Sequence, residues 1–165
     1  DNDTASWLEA IDAATGATLR EQWHFGTLTS GTWNPASQRL FAFGVLHQEH
    51  RIRGVAAYEI DGGQKQLRRI WARSIEPSTA LEVIRSLKFG ATARSTHDPD
   101  VLRLQGTFSV EGDVTEINLF FDADAQLVDA EDYKHRLPDG STLRLVAIDE
   151  RLLPISGNPS RPRPD

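Results

Sequence analysis

The sequence predicts an α+β fold: a mostly antiparallel, strongly curved β-sheet or partial barrel, with one amphipathic helix over residues 77–89 packed on it. Three observations lead there. Segments of strand chemistry recur along the chain, each bounded by Gly, Asn, Asp or Pro. One stretch, and one only, repeats its apolar residues at clear helical spacing. The chain has 165 residues, 39% of them hydrophobic, which is too short for a six-to-eight-blade propeller and long enough to bury a core without cross-links. Residues 1–155 are expected to form one domain, with a split into two small units near 75–100 as the alternative. Residues 156–165, carrying Pro159, Pro162 and Pro164, read as a disordered tail or linker.

From the N-terminus, Ser6 followed by Glu9 has the form of a capping box, and Gly16 suits a helix stop, so a short helix is predicted over 6–15. Strands are predicted at Leu19–Phe25, Arg39–His47, Arg51–Ile60 and Leu67–Ile75. Asp61-Gly62-Gly63-Gln64 between the last two reads as a tight turn, because consecutive glycines supply positive φ angles. A two-residue loop there sets Tyr58 opposite Leu67 and Gly54 opposite Trp71, and puts apolar groups on both faces. This hairpin should therefore lie inside the sheet. In the helix at 77–89, Pro77 suits the first turn, Ala80, Val83, Ile84 and Leu87 share one face, and Gly90 can end it. Beyond it, Val101–Val110 alternates Leu102 and Leu104 against Arg103 and Gln105, a half-solvated antiparallel strand. Further strands are predicted at Val114–Phe121, Tyr133–Leu137 and Thr142–Ile148.

Two short resemblances accompany this reading. Ala10 to Leu19 resembles the strand, Asp-Ala-x-Thr-Gly turn, strand unit of quinoprotein-type β-propeller blades, without any cofactor ligand, and implies a strand and turn as the rival to the N-terminal helix. Gly31-Thr32-Trp33 looks like the G-x-W that opens lipocalin-type barrels, and implies a curved antiparallel sheet with a buried Trp33.

Charge is unevenly spread. The net charge is −6, which gives no global basic field for nucleic acid. Residues 51–94 nevertheless carry nine bases against four acids, net +5, while residues 98–150 carry four bases against thirteen acids, net −9. The two segments either neutralise each other inside one fold or leave one face for a polar partner. No apolar run approaches the ~18 to 20 residues of a membrane-spanning helix. Cysteine is absent, which excludes disulfides and thiolate chemistry. The sequence opens Asp1-Asn2-Asp3 without an initiator, which leads us to expect a processed periplasmic or otherwise extracytoplasmic protein, a cytoplasmic fragment being the alternative.

The chemical motifs each fall short of a known site. In His47-Gln48-Glu49-His50 the histidines are three apart instead of the four of zinc proteases. The acidic run from Asp122 puts Leu127 and Tyr133 where a calcium loop needs Gly and Glu. Ser95-Thr96-His97-Asp98 has triad residue types with no nucleophile elbow. No metal and no cofactor are predicted. The best candidate surface is the central hairpin, where Lys65, Arg69 and Arg73 fall on the face of Tyr58 and Trp71, a cationic and aromatic surface of the kind that holds anions. The ordinary alternative is arginine stems packed over Trp71 with their heads in water. The expected function is a non-enzymatic extracytoplasmic binding or protein-interaction module, its partner another protein or a second copy, or an anionic small ligand, and not nucleic acid. The rival is a small hydrolase or isomerase with a fold-assembled site in a β-rich pocket.

Overall fold

The computed structural model describes residues 6–11, 13–24, 26–47, 49–61, 66–77, 88–94, 100–110, 113–128 and 143–153. Ten strands are described: β1 Ser6–Ile11, β2 Thr18–His24, β3 Leu28–Asn34, β4 Arg39–His47, β5 Ile52–Asp61, β6 Gln66–Pro77, β7 Lys88–Arg94, β8 Leu102–Val110, β9 Asp113–Phe121 and β10 Leu143–Ala147. All their pairings are antiparallel. They form a β1-β2 hairpin, a five-stranded sheet in the order β10-β6-β5-β4-β3, and a three-stranded sheet β7-β8-β9. β7 lies beside β3, and the sheet is not closed into a barrel.

This corrects the predicted α+β class, because the described residues are nearly all β. Their helical content is a 3-10 turn at Glu150–Leu152. The span 77–89 begins in β6 and ends in β7, with residues 78–87 outside the described set. The predicted helix over 6–15 is β1 and a turn. Gly16, which suits a helix end, instead takes φ +71 in the turn to β2, the conformation common to both uses. The strand-and-turn rival describes this region. The predicted strand at Tyr133–Leu137 and the tail from 156 lie outside the described residues.

Both faces of the five-stranded sheet are covered. One packs on the three-stranded sheet, with Phe41, Val55 and Ala57 meeting Leu102, Leu104, Leu119 and Phe121, every one of them 0% exposed. Burying a side chain of this size contributes about 1.5 to 3 kcal/mol. Phe41, Trp71 and Phe121 form a triangle with centroids 5.8, 6.3 and 6.4 Å apart and tilted or edge-to-face rings, the arrangement that ring quadrupoles favour. The opposite face has a floor of Ala42, Ala56 and Ala72, with Leu46, Tyr58, Leu67 and Leu153 buried around it. Leu8 of β1 and Ile148 pack against that second core. The alternation read in Val101–Val110 holds where side chains are described: Leu102 and Leu104 are buried and Arg103 and Gln105 face the other way.

Two glycines let the strands approach. A Cβ on Gly54 would overlap the Arg73 carbonyl oxygen, and one on Gly44 would overlap that of Thr27. Gly44 and Gly54 are cross-strand partners, so close contact is concentrated on one line across the sheet. Trp33, expected to be buried, is 43% exposed. It belongs to β3, the outermost strand of the five, where it pairs with Leu40 of β4.

Candidate functional site

The central hairpin is where the sequence places the binding surface, and β5 and β6 do lie inside the five-stranded sheet as predicted. Its register differs. Ile60 pairs with Leu67 and Tyr58 with Arg69, after which a bulge between Ala57 and Tyr58 sets Ala57 opposite Trp71 and Gly54 opposite Ser74. The last described pair is Asp61 with Gln66, and residues 62–65 lie outside the described set. A bulge inserts one residue, here Ile70, and so reverses the facing of every later side chain on its strand.

The expected constellation is therefore divided between the two faces. Tyr58 and Arg69 stand together over the alanine floor, whereas Trp71 and Arg73 point to the aromatic core. Lys65 lies outside the described residues. Tyr58 is fully buried and Arg69 is 8% exposed. Burial pushes the Tyr58 phenol well above its ordinary range, and the charge of Arg69 acts in the opposite sense. The Arg69 guanidinium donates from Nη2 to the carbonyl oxygen of Leu153, tying the segment after β10 to the sheet. These two residues hold the fold together more than they offer a surface.

On the other face, the Arg73 guanidinium lies 5.8 Å from the Trp71 ring centroid and donates to the Ala72 carbonyl at 2.9 Å. This is the packed-stem arrangement, half-buried. The Trp71 indole N–H donates to the Ala123 carbonyl at 2.9 Å, and Arg39 Nη1 donates to the same oxygen at 2.8 Å. Arg39 also pairs with Asp124 at 2.9 Å. Sequence reasoning passes over Arg39, whose role depends on a loop 84 residues away and leaves no local signal.

The acidic loop after β9 uses its first carboxylate internally. Asp122 Oδ1 accepts from the backbone N–H groups of Asp124 and Gln126, each at 2.9 Å, and Ala125 takes φ +63 while buried. That is an Asx-type turn. Residues 129–132 of the acidic run lie outside the described set. Among the described residues no group of three or more His, Asp or Glu side chains gathers in metal-binding geometry. His47 and His50 do meet, with ring centroids 4.5 Å apart, on the turn from β4 to β5. His97, Ser95 and Asp98 lie outside the described residues. No protein-family model, no curated protein and no solved structure matches this chain.

Proposed function

We propose that the protein is a non-enzymatic binding or interaction module, working outside the cytoplasm, whose contacts are made by charged surface and not by the central hairpin face. The observation that carries this reading is the charge partition, +5 over residues 51–94 against −9 over residues 98–150. Even complete internal pairing leaves the acidic segment under-neutralised, so solvent or a partner takes the surplus. The way the cores are filled agrees with it. Tyr58, Trp71 and Arg69 are consumed in packing, which leaves exposed charges as the means of recognition. The partner is another protein or a second copy of this chain.

The test is sedimentation of the purified protein at about 0.05 and 0.5 M salt, with capture from a cell-envelope extract at the same two salts. Over that range the Debye length falls from more than ~10 Å to a few Å. Self-association or specific capture that is lost at high salt supports the reading. A protein that stays monomeric at high concentration and low salt, and captures nothing, removes it. Fractionating cells that express the full-length gene tests the compartment.

A further inference from the structure

We draw no further inference here: the strongest candidate, the surface patch of exposed Trp33 and Ile60 at one end of the face floored by Ala42, Ala56 and Ala72, where Trp33 pairs with half-buried Leu40, carries nothing because nothing in the structure shows what covers it.

Discussion

Toward the three-stranded sheet, the five-stranded sheet presents Phe41 and Trp71, which close on Phe121. Away from it, the same strands present Ala42, Ala56 and Ala72, with Tyr58 and Arg69 as the large side chains in their midst. The first face is filled by side chains from two sheets and needs little polar direction. The second is shallow, so the covering segments lie close to the strands, and a guanidinium fixes one of them by bonding the Leu153 carbonyl. One face is held chiefly by volume and the other by position. Stability should therefore respond to the size of side chains on the aromatic face and to specific bonds on the alanine face.

The largest expected effect tests the first half of that contrast. Phe41→Ala removes the ring shared by two of the three aromatic contacts, at a residue with no exposure. It should cost about 3 to 5 kcal/mol in denaturant unfolding, and a cost below about 1 kcal/mol would show that the face repacks. Next is Gly54→Ala. The added methyl group would overlap the Arg73 carbonyl oxygen, a backbone atom that moves only with its strand, so a loss of about 1 to 3 kcal/mol is expected. Unchanged stability would mean that β5 and β6 separate freely along the glycine line.

How much of this is legible in sequence depends on whether the information is local. β4 can be read at its observed bounds, because Arg39–His47 has strand composition and turn residues nearby. Apolar groups on both faces rightly place β5 and β6 inside the sheet. Their register is not legible, because the bulge at Ala57/Tyr58 has no residue signature and moves Trp71 to the other face. The candidate binding residues are divided with it, Tyr58 and Arg69 on one face and Trp71 and Arg73 on the other. β1 reads as a helix because Ser6, Glu9 and Gly16 satisfy helix-capping rules and a strand-turn equally well. β3 and β7 escape the sequence reading outright: Leu28–Asn34 has one G-x-W hint, and Lys88–Arg94 begins inside an apparent amphipathic helix. Nonlocal pairing overrides local pattern in such strands.

The alanine face yields the next effects. Arg69→Met keeps the stem but removes the donor to Leu153, and an orphaned buried carbonyl costs about 1 to 3 kcal/mol. Hydrogen exchange should show the loss concentrated in residues 148–153, with the aromatic core protected as before. Uniform loss across both cores would end the distinction between the faces. Tyr58 gives a pH signature. Because its folded value is raised by burial, the associated stability is fully present below the unfolded value of about 10 and declines as pH rises toward the folded one. Between about pH 10 and 11 the decline should approach ~1.4 kcal/mol per pH unit. Tyr58→Phe should reduce that slope, and an identical slope in the variant would place the phenol in contact with solvent.

The smallest effect lies at the rim of the aromatic face. Glu59 stands in register between Arg39 and Arg68, and its pair is with Arg68, whose side chain is 62% exposed. Water screens that pair, and two flexible side chains lose entropy to hold it, so exposed pairs of this kind contribute about 0.2 to 1 kcal/mol. Arg39 does not depend on Glu59, since Asp124 and the Ala123 carbonyl already engage it. Glu59→Gln, which preserves shape and can still accept a hydrogen bond, should therefore cost less than about 1 kcal/mol at low salt, and the difference should vanish at about 0.5 M. Arg69→Met, by contrast, should cost the same at both salts, because its bond is to a buried carbonyl and not to an exposed charge. If Glu59→Gln proves as costly as Arg69→Met, or equally indifferent to salt, charge at the rim is structural and the aromatic face is not held by volume alone.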